Sequence, residues 1–181
     1  MNIIIQLIGY LGVAGFFFSG LQKKRKYIVA CSLIGRISFV VHYILLGGFS
    51  GAMQNGIGGI ASFISSKRSK APFNSKYMPL FIIILTLVGG IFTFDPSRPF
   101  VSALPTVAMI FQNSAIYMKK SRDIRIWSLV GLPFWITYNL LNHSAPALVS
   151  DALTAISLIT GLVKHDIPNR KNTDEQEKTE P

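Results

Sequence analysis

The chain has the sequence of an all-α, polytopic membrane protein, with seven transmembrane helices arranged as two parallel three-helix repeats joined by an inverting helix (3+1+3). Three observations predict this class. Of its 181 residues 50% are hydrophobic and only 14% are charged, whereas a soluble domain carries about a quarter charged residues to face water. The apolar residues fall into seven runs near the length, about 20 residues, that crosses roughly 30 Å of hydrocarbon. Lys and Arg collect between those runs on alternate loops, as they do on the cytoplasmic side of a membrane.

The first run is Ile3 to Leu21. No basic residue precedes it, and Lys23, Lys24, Arg25 and Lys26 follow it. A cleaved signal peptide has the reverse order, so the run is expected to be a retained helix with its N-terminus outside. The second run is Tyr27 to Leu46, and the third, glycine-rich, is Phe49 to Ser65. The fourth to seventh are Pro79 to Phe94, Phe100 to Met118, Ile126 to Leu141 and Ala145 to Val163. Lys67, Arg68, Lys70 and Lys76 follow the third run, and Lys119, Lys120, Arg122 and Arg125 the fifth. Lys164, Arg170, Lys171 and Lys178 follow the seventh, whereas the opposite loops hold Arg98 alone. Six or eight helices would break this alternation. The polar stretch from His165 to Pro181 is expected to be a disordered cytoplasmic tail. The layout is therefore a first repeat over 1–66, a loop and linker helix over 67–98, a second repeat over 99–164 and a tail over 165–181.

The formal net charge of +10 does not mark a nucleic-acid binder, because these basic residues punctuate apolar runs rather than cover a solvated face. On membrane loops they suit anionic lipid. Cys31 is the single cysteine and lies in an apolar run, which excludes an intrachain disulfide. The sequence shows no phosphate-binding glycine loop, no GxGxxG, no HExxH and no Ser–His–Asp spacing. Before the tail its carboxylates are Asp95, Asp123 and Asp151 only. It is read as a non-enzyme with no cofactor and no metal.

Sliding the chain against itself by 96 residues aligns two halves without a gap. Lys23-Lys24 meets Lys119-Lys120, and Ser32-Leu33-Ile34-Gly35 meets Ser128-Leu129-Val130-Gly131. Phe39 falls on Trp135, His42 on Tyr138, Leu45 on Leu141, Asn55 on Asp151 and Gly9 on Pro105. Internal symmetry of this kind is common in transporters. Both triplets begin outside and end inside, which makes the repeats parallel and leaves the fourth helix as the inverting linker.

Polar groups inside apolar runs are the informative ones, since a charge at mid-membrane costs about 2.5–3.5 kcal/mol on insertion scales. Asp151 shares a helical stripe with Ala147, Thr154, Leu158 and Gly161, and Asn55 one with Gly51, Gly58, Gly59 and Ser62. Asn55 is open between lining a pocket and hydrogen-bonding a neighbouring helix. Arg36 either forms a charge pair with Asp151 or snorkels to the interface. Trp135, Tyr138, Asn139 and Asn142 run along one side of the sixth helix. An aromatic ring beside amides suits a sugar- or nucleoside-like solute, although rings at Tyr138 also suit an interface without a ligand. His42 is expected to be a packing or hydrogen-bonding residue. Gly47 and Gly51 form a GxxxG, Gly58-Gly59 and Gly89-Gly90 permit close helix approach, and Pro105 and Pro133 should kink their helices.

With Val41-His42-Tyr43-Ile44-Leu45-Leu46-Gly47, Trp135-Ile136-Thr137-Tyr138-Asn139 and Asp151, the chain resembles the bacterial inner-membrane YgjV-like family over nearly its whole length. More distantly it is similar to the SWEET and PQ-loop transporters, which share the two-triplet plan. The resemblance implies that Asn55 and Asp151 line a central pocket with Trp135 as its aromatic wall. The chain lacks the prolines that SWEET-like proteins carry in their first triplet and the Pro-Gln pair of PQ-loop proteins, which argues against a symmetric hinge. The expected function is small-solute transport by alternating access around Asn55, Asp151 and Trp135, by a monomer or homo-oligomer in the inner membrane. The rival is a scaffold or regulator that binds a partner. The two differ in whether the polar stripes of helices three, six and seven converge on one cavity.

Overall fold

The computed structural model describes residues 3–21, 25–67, 76–116, 118 and 121–163. They form seven helices: α1 (Ile3–Leu21), α2 (Arg25–Leu45), α3 (Phe49–Ser66), α4 (Met78–Phe92), α5 (Pro99–Ile116), α6 (Ser121–Leu141) and α7 (Ala145–Gly161). Each matches one apolar run. The largest difference is at α6, which begins at Ser121 instead of Ile126. Asp123 in its first turn favours helix there by opposing the positive N-terminal end of the dipole. Lys23, Lys24, Arg68, Lys70, Lys119, Lys120 and the tail from Lys164 onwards lie outside the described residues, as does the disorder expected of that tail. Among the described residues no helix is long and apolar enough to cross a membrane.

Six helices form a closed ring. α1 packs on α2, α2 on α3, α3 on α5, α5 on α6, α6 on α7, and α7 back on α1. The fourth helix stands outside, against α3 and α5. Apolar side chains face outward, among them Leu7 and Leu11 of α1, Phe81 and Ile84 of α4, and Leu153 and Ile156 of α7. Polar ones lie inside: His42, Gln54, Asn55, Thr86, Asn113, Asn139 and Ser144 are all buried. Water selects the opposite distribution.

Close approaches set the ring's spacing. A Cβ on Gly15 would stand 2.7 Å from the backbone nitrogen of Gly35, so α1 and α2 meet backbone to backbone. Between α5 and α6, a Cβ on Gly131 would stand 2.8 Å from the carbonyl of Ala108. Gly131 lies 96 residues beyond Gly35, and Ala108 lies 96 beyond Gly12, whose carbonyl is the neighbour of Gly35. The helix ends repeat at the same separation. Gly47 has φ +74 and His143 φ +53. After α2 the amides of Gly47 and Gly48 return to the carbonyls of Ile44 and Tyr43, and after α6 those of His143 and Ser144 return to Leu140 and Asn139. Both are Schellman caps. Gly47 therefore belongs to a turn, and Gly47–Gly51 is not the helical GxxxG expected: Gly51 packs on the ring of Tyr138. Pro105 and Pro133 both lie within continuous helices.

The seam that α4 covers is polar. Gln54 Nε2 donates to the Thr86 carbonyl (3.0 Å) and to Thr106 Oγ1 (3.1 Å), and Asn113 Nδ2 donates to Thr86 Oγ1 (2.9 Å). Gly89 and Gly90 let α4 close on Ile57 and Thr106.

Candidate functional site: the central cavity

A cavity of about 320 Å³ lies inside the ring. All six ring helices line it, through residues such as Phe16, Tyr43, Asn55, Gln112, Trp135 and Asp151, while no described residue of α4 does. Its aromatic wall is a continuous stack. Phe16 lies on Phe39 (centroids 5.7 Å apart), Phe39 on Tyr43 (6.0 Å) and Tyr43 on Trp135 (6.2 Å). Offset stacks of this kind add about 0.5–1.5 kcal/mol per pair beyond the area they bury, so the wall is held by its own contacts.

The sequence-predicted residues divide. Asn55, Trp135, Asn139 and Asp151 all line the cavity. Asn139 Nδ2 donates to Asp151 Oδ2 (2.7 Å), and the Tyr43 hydroxyl donates to Asn139 Oδ1 (2.6 Å). That relay fixes the Asn139 amide, because its oxygen must accept from Tyr43 and its nitrogen must donate to the carboxylate. Asn55 Nδ2 donates to the Gly51 carbonyl of its own helix (3.0 Å), so it does not tie two helices together as the packing alternative supposed.

Tyr138 stands elsewhere. Its hydroxyl donates to the Gly48 carbonyl (3.0 Å) and accepts from the Gly51 amide (3.0 Å), and Ser50 Oγ lies at 3.5 Å. It belongs to a packed layer beyond the cavity, next to a small space of about 70 Å³ bordered by Asp95 and Arg98. His42 sits in the same layer, with Nδ1 2.8 Å from the Ile5 carbonyl and Nε2 2.7 Å from Ser144 Oγ. In the neutral ring Nδ1–H donates to the carbonyl and Nε2 accepts from Ser144. These contacts are reciprocal: 42 and 138 are 96 apart, as are 48 and 144. Each half closes on the other at the end where α2 turns into α3 and α6 into α7. Phe16, Gln112, Ser128 and Leu158 carry the cavity towards the opposite end.

The candidate Arg36–Asp151 pair is not formed. Both residues line the cavity, but Asp151 is engaged by Asn139. The Arg36 guanidinium rests on the Phe16 ring, 5.8 Å from its centroid, and against Gly58. Its Nε is buried with no hydrogen-bond partner. Helices α2 and α7 are not neighbours in the ring, so no packing contact brings the two side chains together.

Ser144 and the Gln54–Thr86–Asn113 cluster did not stand out in the sequence, and Tyr43 and Gly48 stood there only as members of a motif and a glycine pair, with no contact assigned to them. Tyr43 had a signal, since it lies 96 residues before Asn139 and the two touch on the axis relating the halves. In the loop after α4, the Ser97 amide (2.9 Å) and hydroxyl (2.6 Å) both donate to Asp95 Oδ1. These bonds hold the Asp95 carboxyl below the usual carboxylate range.

The family model that matches the chain, over residues 3–168, is that of a bacterial inner membrane protein. No curated protein and no solved structure matches it.

Proposed function

The chain belongs to the YgjV-like family of bacterial inner membrane proteins, and we propose that it is a small-solute transporter that works by alternating access. One observation carries this reading. Polar residues from α3, α6 and α7, namely Asn55, Asn139 and Asp151, share a single cavity with the Trp135 ring. A scaffold would turn such residues singly towards different neighbours. The outward apolar faces, the alternating basic loops and the contacts repeated at 96 residues support seven transmembrane helices in two parallel triplets, with α4 as the inverting linker. With the N-terminus outside and the C-terminus cytoplasmic, the layer of His42, Ser144, Tyr138 and Gly48 is the outer seal, and the structure faces inward. The ring is complete in one copy, so a monomer suffices. An aromatic wall beside amides accepts a sugar- or nucleoside-like ring by stacking on its face and hydrogen bonding at its edge. No chemical step and no cofactor is required.

The test is the thermal stability of the detergent-purified protein against sugars, nucleosides, vitamins and amino acids. A ligand at 100 times its dissociation constant, bound only by the folded state, adds about 2.7 kcal/mol. A rise for one class, lost in Asp151→Ala and Trp135→Ala, is the expected result. Stability unchanged by every class would favour the scaffold.

A further inference from the structure

We infer that the central cavity takes a zwitterionic solute, its carboxylate towards Arg36, its ammonium towards Asp151 and its apolar part against the Tyr43–Trp135 wall. The inference rests on the transporter reading of this cavity and replaces the sugar- or nucleoside-like solute of that reading with a zwitterion.

The argument begins with two opposite charges on one cavity. An ionised group removed from water needs a partner, and a buried charge left unpaired is strongly destabilising. Arg36 has its Nε buried without a hydrogen-bond partner, and no protein carboxylate reaches it among the described residues. Asp151 accepts one bond, from the uncharged amide of Asn139. An ion pair between them would stabilise the protein alone, but none is formed, and their helices are not neighbours: α1 lies between α2 and α7 on one side, and α3, α5 and α6 on the other. The two charges face each other only across the cavity. Gly58 reinforces the separation. A Cβ there would collide with Arg36 Nη1, so the missing side chain is what allows the guanidinium to lie against α3.

A solute with one charge would satisfy one wall and leave the other bare. A neutral sugar or nucleoside would leave both. A molecule with a carboxylate and an ammonium satisfies both at once, and a planar carboxylate matches the guanidinium fork. At about 320 Å³ the cavity is at the small end of ligand pockets, the size class of a single amino acid. The stacked Tyr43 and Trp135 rings give its side chain an apolar surface in the same cavity.

Matched probes test this. L-Serine, L-leucine and L-phenylalanine are each compared with their amide, which keeps only the positive charge, and their deamino acid, which keeps only the negative one. Uridine and glucose serve as neutral solutes. The readouts are thermal stabilisation of the purified protein and uptake into proteoliposomes. The expected result is that at least one amino acid stabilises the protein and binds at least ten-fold more tightly than either of its singly charged analogues. Asp151→Asn should abolish the preference over the deamino acid, and Arg36→Gln the preference over the amide. If Arg36→Gln does not fold, Gly58→Ala, which displaces the guanidinium and keeps its charge, should weaken the amino acid at least ten-fold. Stabilisation by uridine or glucose with none by any amino acid overturns the inference and leaves the transporter reading standing. Equal binding of an amino acid and its analogues overturns it as well. Amino-acid binding without uptake keeps the inference and removes the transporter. Silence across all probes removes both.

Discussion

Tyr43, Asn139 and Asp151 form a relay of two hydrogen bonds through the wall of the cavity, and its middle member has no spare capacity. Tyr43→Phe would leave Asn139 Oδ1 a buried acceptor without a donor, which costs about 1–3 kcal/mol. Thermal unfolding of the purified variant should show that loss, and an unchanged melting temperature would mean that water replaces the hydroxyl. A second residue-scale prediction concerns the cap after α6. His143 occupies a left-handed conformation that costs an L-residue roughly 1–2 kcal/mol and glycine almost nothing. His143→Gly should therefore stabilise the protein by about 1 kcal/mol, and Gly47→Ala at the matching cap should destabilise it by a similar amount. Asp151, Asn55 and Asn139 were legible as candidates because a polar group in an apolar run must find polar company, whereas Trp135 as a pocket wall came from the resemblance to SWEET-like proteins. Tyr138 misled for a physical reason. A stripe on one helix says which residues share a face, and nothing about what the facing helix presents to each. Trp135 and Asn139 meet a void, while Tyr138 meets the backbone at the start of α3.

At the scale of elements, α4 is held by close contacts at small residues. Its two glycines lie where a side chain would strike Ile57 and Thr106, and Thr86 receives both Gln54 and Asn113. Gly90→Val would overpack this seam, at about 1–3 kcal/mol. Because α4 does not line the cavity, ligand affinity at low temperature should be unchanged while the melting temperature falls; loss of binding in the folded variant would mean that α4 shapes the site. The turn after α4 is insensitive to pH over the neutral range. The Asp95 carboxyl titrates below its ordinary value, so its contribution is complete above that value and is lost only as the pH falls through the lowered one. Ser97→Ala should bring its titration back towards the usual range, as a carboxyl chemical-shift titration would record. Element bounds were legible to within a few residues, since apolar run and basic loop alternate sharply. The start of α6 was not, because helix continues past the apolar run wherever the first turn is well charged. The placement of α4 on the α3–α5 seam was also hidden, since an apolar helix of this kind fits several seams equally well.

At the scale of the whole molecule the repeat visible in the sequence becomes mechanical. Each half sends one ring residue across to the first turn of the other half's third helix: His42 to Ser144 and Tyr138 to Gly48 and Gly51. In the proposed alternating-access cycle a seal built from such bonds opens when both halves swing apart, and each bond contributes about 0.5–1.5 kcal/mol net. Tyr138→Phe removes one side of the seal and leaves the ring in place. Losing about 1 kcal/mol from the closed form multiplies the ratio of outward-open to closed molecules by roughly five. Ser150 lines the cavity, and in a Cys31→Ser background Ser150→Cys would be the only thiol. In right-side-out vesicles, a membrane-impermeant maleimide added outside should label it several-fold faster when Tyr138→Phe is also present. Added at the cytoplasmic face, the reagent should label it no faster, because the inward-facing population can only fall. Faster labelling from both faces would mean that the variant loosens the bundle as a whole. No change from either would place the moving seal elsewhere and deprive the alternating-access reading of its outer gate.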